Sequence, residues 1–233
     1  DIVYSKDILD SLRESPWGTT QREQKQGLEF TKSEFDEINK FCNDIGIDWF
    51  ASAWDIPSQD FLKNYDLKYN KVASAMTTNT DFIKHVAKEK RPTFVSTGMC
   101  NIEDIAKAVE IFINEDCPII LMHTNSEYPS QDQNLNLKMI ETLKNQFDLN
   151  IGYSGHEASV SPTVFAAALG AVAIERHITL DRSMYGSDQS ASLEPGAFKR
   201  MVNMIRKLNL IYGDGVKSIT EEENIIAKKL RYW

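Results

Sequence analysis

Between Asn150 and Leu180 the chain reads NIGYSGHEASVSPTVFAAALGAVAIERHITL, two short apolar runs with one helix-length segment between them. In the run Ile151 to Ser154 side chains alternate, so Gly152, Ser154 and His156 share one side, with His156 just past the strand's end. Ala173 to Leu180 repeats the plan, with Glu175, His177 and Thr179 on one face and Ile174 and Ile178 on the other. The alanine-rich segment Val160 to Leu169 is a helix, and Gly170 can end it in the left-handed conformation common at helix termini. Strand, helix and strand at this distance form a right-handed parallel βαβ unit. In parallel βα architectures reactive groups gather at the carboxyl ends of strands. The two histidines are therefore placed either to hold one metal ion or to stand as ordinary polar barrel residues.

The rest of the chain follows the same rhythm. Residues 1 to 31 carry a short helical pattern (Ile8, Leu9, Leu12) and a polar run from Glu14 to Lys25, with no strand. Thr31 and Glu34 make a capping-box start, and Phe35, Ile38, Phe41, Cys42 and Ile45 follow at helical spacing up to Gly46. Strands are expected at Ile47 to Trp54, Lys71 to Ser74, Thr93 to Thr97 and Ile119 to His123, ahead of the two around His156 and His177. Helices are expected at Pro57 to Tyr65, Asp81 to Lys88, Asn101 to Asn114, Leu135 to Phe147, Pro195 to Tyr212 and beyond Thr220. Six strands alternating with helices over residues 1 to 233 read as a single parallel α/β domain. Nearly every strand ends in a small polar or ionisable residue, as in a (β/α)₈ TIM barrel, which needs two more strands; the gap is placed before residue 1. A six-stranded doubly wound sheet is the alternative, but its phosphate site usually shows a Gly-rich turn after the first strand, and none is seen.

A formal charge of −8 and a pI near 5.1 argue against a nucleic-acid surface, which needs clustered Lys and Arg. No apolar run approaches the roughly 20 residues needed to cross a bilayer. Cys42, Cys100 and Cys117 are odd in number and widely spaced, which fits a reduced, cytoplasmic protein.

The segments STGM (Ser96 to Met99), NSEYP (Asn125 to Pro129), IGYSGH (Ile151 to His156), ERHITLDR (Glu175 to Arg182), YGSDQSASLEP (Tyr185 to Pro195) and GDGVK (Gly213 to Lys217) together resemble the sialic acid synthase family. The resemblance runs in order from about residue 12 to the end. It implies a (β/α)₈ barrel that condenses phosphoenolpyruvate with an N-acyl hexosamine such as N-acetylmannosamine, releasing phosphate, and works as a homodimer. The expected product is N-acetylneuraminate; the alternatives are the same chemistry giving legionaminate, pseudaminate or a spore-coat sugar, a catalytically silent sugar-binding barrel, or a pyruvate aldolase. In this family the first two strands carry a catalytic glutamate and a lysine-bearing phosphate segment, and many members append an antifreeze-like domain. The sequence printed here is expected to lack all three, and the natural chain to be longer at its amino end.

Carried over residue by residue, His156 and His177 resemble ligands of a divalent metal, Mn²⁺ or Mg²⁺, which would polarise the sugar's open-chain aldehyde. Lys71, Ser74, Ser96 and Ser154, with Ser52 and Ser126, resemble the grip on phosphoenolpyruvate, where a phosphate and a carboxylate need one cation and several donors. Tyr128 and Asp188 resemble residues lining the sugar site. Glu175 either contacts a ligand, orients a metal ligand or pairs with a nearby cation. His123 is assigned to the barrel interior, His85 to the solvated surface, and Trp49 and Trp54 to packing. Met76 is a departure, since two positions past the serine of Lys-Val-Ala-Ser the family commonly carries a glutamate.

Overall fold

The computed structural model describes residues 3–233. An amino-terminal segment comes first: α1 (Lys6–Leu9), a hairpin of β1 (Leu12–Ser15) and β2 (Gly18–Thr20), α2 (Gln21–Leu28), α3 (Lys32–Ile45) and α4 (Ile56–Leu62). Five strands then alternate with helices: β3 (Asn70–Val72), α5 (Thr80–Ala87), β4 (Thr93–Ser96), α6 (Ile102–Asn114), β5 (Ile119–Thr124), α7 (Met139–Phe147), β6 (Ile151–Gly155), α8 (Ser161–Ala168) and β7 (Ile174–Arg176). Two helices close the series, α9 (Pro195–Ile211) and α10 (Glu221–Leu230). Among the described residues no helix is long and apolar enough to cross a membrane.

β3 to β7 form one parallel sheet in sequential order. Because every crossover has the same hand, an order without reversal puts the helices on one face, whereas a doubly wound sheet reverses direction partway. The architecture is thus a curled half-barrel wall, and the doubly wound alternative is set aside. On the helix-facing side Val72, Val95, Leu121, Ile151 and Tyr153 are almost fully buried against Phe82, Ile83, Val86, Phe112 and Leu143. The opposite face carries Lys71, Phe94, Ser96, Met122, Ser154 and Glu175, in line with the register Lys71 to Phe94, Ser96 to Met122 and Ser154 to Glu175. Local chemistry fixes the helix starts: reciprocal capping boxes join Thr20 to Glu23, Thr31 to Glu34, Asn101 to Asp104 and Thr220 to Glu223.

The strand expected at Ile47 to Trp54 does not enter the sheet as a ladder; only Ser52 bridges to Lys71. Alternation is nonetheless present over residues 49–53, since Trp49, Ala51 and Ala53 pack on the core while Phe50 and Ser52 are exposed; Ile47, in phase with Trp49, is exposed and lies outside the pattern. The segment flanks β3 at the sheet's edge, and among the described residues its one bridge to the sheet is Ser52 to Lys71. A second correction is the hairpin at residues 12–20, where no strand was expected. Its formation depends on a distant partner: the Trp17 ring lies so close over Gly27 that a Cβ there would come within 2.1 Å of it, and its edge meets the Tyr185 ring at 6.2 Å. His123 is also corrected. It pairs in register with Tyr153 and bonds Leu135 O through Nε2 at 2.8 Å, so it lies between sheet and helices and not inside the barrel. His85, taken as a solvated residue, has Nε2 2.8 Å from Asp60 Oδ1. Trp49 does pack, against Phe35 and Tyr65, with Nε1 donating to Asn39 Oδ1 at 3.0 Å, and Trp54 stacks on Tyr4.

Candidate active site

Two groups of side chains meet at the carboxyl ends of β3 to β7. The first is built on Lys71, which strand alternation turns inward from β3. Its side chain is only 7% exposed. Nζ donates to Ser96 Oγ on β4 at 2.6 Å and stands 3.7 Å from Glu175 Oε1 on β7, while Ser154 Oγ on β6 donates to the same Glu175 oxygen at 2.8 Å. Burial pushes the Lys71 ammonium below its ordinary pKa, and the Glu175 carboxylate acts against that shift. Glu175 is therefore the partner of a cation, one of the roles expected of it. Beside this group Ser74 Oγ accepts from the Gly98 N–H at 3.1 Å. A Cβ on Gly98 would fall 2.1 Å from Ser126 Oγ and 2.8 Å from Ser74 Oγ, so the glycine lets both hydroxyls crowd one spot of backbone. Ser52 neighbours Lys71 through the bridge but is exposed, and it lines a cavity of about 680 Å³ with Tyr4, Trp54 and Phe61. Among the expected hydroxyls it stands apart from the cluster.

The second group holds the histidines. His156 lies one residue past β6 and His177 one past β7, with ring centroids 5.1 Å apart and planes nearly perpendicular. His156 Nδ1 is 2.6 Å from Asn125 O and His177 Nδ1 is 3.2 Å from Asp188 Oδ2. An oxygen acceptor on Nδ1 places the proton there and leaves the Nε2 lone pair available, the arrangement in which imidazoles ligate metals. Burial lowers the His156 pKa, which keeps the ring neutral, and the hydrogen bond from His177 lowers that of Asp188. The Tyr128 ring covers His156 at a centroid distance of 4.2 Å and meets His177 at 5.6 Å. Among the described residues no three or more His, Cys, Asp or Glu side chains gather as a ligand set. The two imidazoles could supply two ligands to a divalent ion, whose remaining positions would fall to water or other oxygens.

Asp188, expected in the sugar lining, orients His177. Met76 is buried in the core cluster, so its side chain supplies packing where an acid was looked for. Three contributors escaped sequence reasoning. The Asn125 carbonyl and Gly98 N–H act through the backbone, where residue identity carries little signal. The Arg176 and Glu157 pair sits on the helix-facing side of the sheet, although each adjoins a histidine in sequence.

The fold and site define a parallel half-barrel that gathers a lysine, hydroxyls, a carboxylate and two imidazoles at the carboxyl ends of its strands. Residues 4–217 match the model of the NeuB family, and the chain belongs to that family. It is 35% identical over 215 residues to human N-acetylneuraminate-9-phosphate synthase, covering 92% of this chain and 60% of that protein. It is 32% identical to the N,N'-diacetyllegionaminic acid synthase of Legionella pneumophila, covering 93% of this chain and 62% of the relative. The chain thus spans about three fifths of the length of these curated relatives. Among solved structures, the N-acetylneuraminic acid synthetase of Leptospira borgpetersenii in complex with citrate matches with a TM-score of 0.79 and 31% identity, over 88% of this chain and 73% of that one. A DAHP synthase of Thermotoga maritima shares the fold, with a TM-score of 0.68 at 18% identity over 79% of this chain and 57% of that one.

Proposed function

We propose that the protein is a nonulosonic acid synthase, joining phosphoenolpyruvate to an N-acyl hexosamine with release of phosphate. The observation that carries this reading is the double cluster joined through Glu175, which touches the Lys71 ammonium and the Ser154 hydroxyl on one side and stands two residues before His177 on the other. Lys71, Ser96, Ser154 and the Ser74, Gly98 and Ser126 corner suit a small polyanion bearing phosphate and carboxylate. Tyr128 and the histidines suit an open-chain sugar beside it. His156 and His177 would hold a divalent ion, Mn²⁺ or Mg²⁺, which when bound supplies Lewis-acid polarisation of the aldehyde oxygen. The chain's own residues do the rest: Lys71 neutralises the phosphate, the hydroxyls orient the enol so that C3 faces the aldehyde carbon, and Glu175 offsets positive charge developing at C2 before water adds there and phosphate departs. The relatives' names divide among N-acetylneuraminate-9-phosphate, legionaminic and pseudaminic acid synthases. N-acetylmannosamine is the substrate proposed here, and the burial of Met76 is the specific reason to test other N-acyl sugars beside it.

The test is phosphate release from phosphoenolpyruvate with a panel of N-acyl hexosamines and Mn²⁺, with and without chelator, in the natural protein and in Lys71→Met. Release is expected with at least one sugar, is expected to vanish with chelator, and in Lys71→Met should show a KM for phosphoenolpyruvate raised about 10- to 100-fold, the loss of one charge-assisted contact. Absence of release with every sugar, while phosphoenolpyruvate still binds, would leave a silent sugar-binding barrel in its place.

A further inference from the structure

The ladder between β6 and β7 ends at the pair Gly155 and Arg176, one residue short of both histidines. Beyond that rung the backbone of the two histidines turns to other segments, His156 O accepting from the Ser130 N–H at 3.1 Å and His177 O from the Leu193 N–H at 2.9 Å, so the direct tie between the two strands passes to side chains. A side chain takes over. The Arg176 guanidinium, 0% exposed, reaches across on the helix-facing side: Nη1 donates to Glu157 Oε1 at 2.9 Å, to Thr163 Oγ1 at 2.8 Å and to Ser159 O at 3.0 Å, and Nη2 donates to the Glu157 backbone carbonyl. Glu157 is itself fully buried and accepts from Thr163 Oγ1 at 2.6 Å and Tyr153 OH at 2.9 Å. Gly155 makes room for this, since a Cβ there would lie 2.6 Å from both Glu157 Oε2 and the Tyr153 ring. Glu157 follows His156 directly and Arg176 directly precedes His177, so the pair ties together the two residues adjoining the imidazoles.

A buried ion pair of this kind adds little net stability compared with apolar packing of similar shape, because desolvating both charges offsets their attraction. Arg176 Nε moreover has no partner, so the pair bears an extra desolvation cost. A fold retaining it at this position gains geometry: a planar fork fixed at one end to a backbone carbonyl acts as one more rung of the ladder, made from a side chain. Resting on the proposed reading of the two histidines, we infer that Arg176 and Glu157 are positioning residues that set the spacing of His156 and His177 for a divalent cation and the sugar. They touch neither ligand, and the phosphoenolpyruvate cluster lies on the opposite face of the sheet: Ser154 and Glu175 share β6 and β7 with the pair but alternate away from it, and Lys71, Ser74 and Ser96 belong to β3 and β4 and the turn after β3.

Binding of Mn²⁺ alone to the resting protein, followed by the electron paramagnetic resonance signal of the free ion, is the primary readout, alongside KM for each substrate. Arg176→Met and Arg176→Lys should each weaken Mn²⁺ binding about tenfold or more, the usual penalty for losing a group that orients a ligand, with lysine the milder because it keeps the charge but not the fork. KM for the sugar should rise in parallel and KM for phosphoenolpyruvate should stay within about twofold of the natural protein. Tyr153→Phe removes one hydrogen bond from Glu157 while leaving Arg176 in place, so it should lower the melting temperature without changing Mn²⁺ affinity. If Arg176→Met fails to fold, Arg176→Lys decides. The inference is overturned if a folded Arg176 variant binds Mn²⁺ as the natural protein does, or if both substrate KM values rise together. The underlying reading fails separately, if the natural protein takes up no Mn²⁺ or if a His156→Ala, His177→Ala double variant takes up as much.

Discussion

His123 shows how a single buried titratable group writes itself into the stability of the molecule. Burial holds its pKa below the ordinary value of about 6.5, against the opposing pull of the Leu135 carbonyl. The unfolded chain therefore binds the proton at a higher pH than the native chain does, and stability must fall as the pH drops through about 6.5 toward the lowered native value. Replacing His123 by Gln, which can still donate to Leu135 O, should flatten the decline in melting temperature between pH 7 and 5. An unchanged slope would show that other groups dominate that window. At the same scale lies the Lys71, Ser96 and Glu175 contact. Lys71 is costly to bury, and only convergent acceptors from neighbouring strands make its position tolerable.

Helix α3 isolates what an element owes to its ends. Its start is closed by the reciprocal contacts of Thr31 and Glu34, and its end by Gly46 at φ 69° and ψ 37°, with nothing within 4 Å of a would-be Cβ. Gly46→Ala would meet no clash, so its cost should be the conformational one alone, about 1 kcal/mol lower stability by urea denaturation with an unchanged m-value. A neutral result would mean that the helix end readjusts. Elements of this kind were legible in the sequence because their signals are local. The capping boxes, the 3.6-residue spacing from Phe35 to Ile45 and the alternation around His156 all lie within a few residues. What escaped was set at a distance. The hairpin of β1 and β2 needs Gly27 and Tyr185 to settle Trp17; the segment at residues 47–54 has the alternation of a strand but one bridging residue; and nothing near His123 in sequence tells which face of β5 it joins. Among the site residues, Lys71, Ser96, Ser154 and Glu175 come together in one group and Tyr128, His156, His177 and Asp188 in another, while Ser52 is exposed and stands apart. The backbone donors and acceptors at Gly98 and Asn125 are invisible in residue type.

At the scale of the molecule the amino-terminal hairpin serves as a clasp on the segment carrying Asp188. Gln24 Nε2 donates to Tyr185 OH at 2.8 Å across 161 positions of sequence, Tyr185 OH donates to Glu14 O at 3.2 Å, and the Trp17 ring closes the contact. Three residues further on, Asp188 holds His177. Trp17→Ala should therefore free the loop from Tyr185 to Ser190, read as faster amide hydrogen exchange there while β4 to β6 keep their protection. Exchange rising everywhere would mean that the hairpin supports the whole fold. The clasp also bears on the order in which the molecule assembles. Each strand of the sheet pairs with the next one made, so a growing chain can lay down the wall as it emerges from the ribosome, one unit at a time. Trp17 and Gln24 precede the wall and must wait for Tyr185, which follows all five strands, before the loop beside the histidines has anything to rest on. The rim of the site is thus finished only after the wall it stands on.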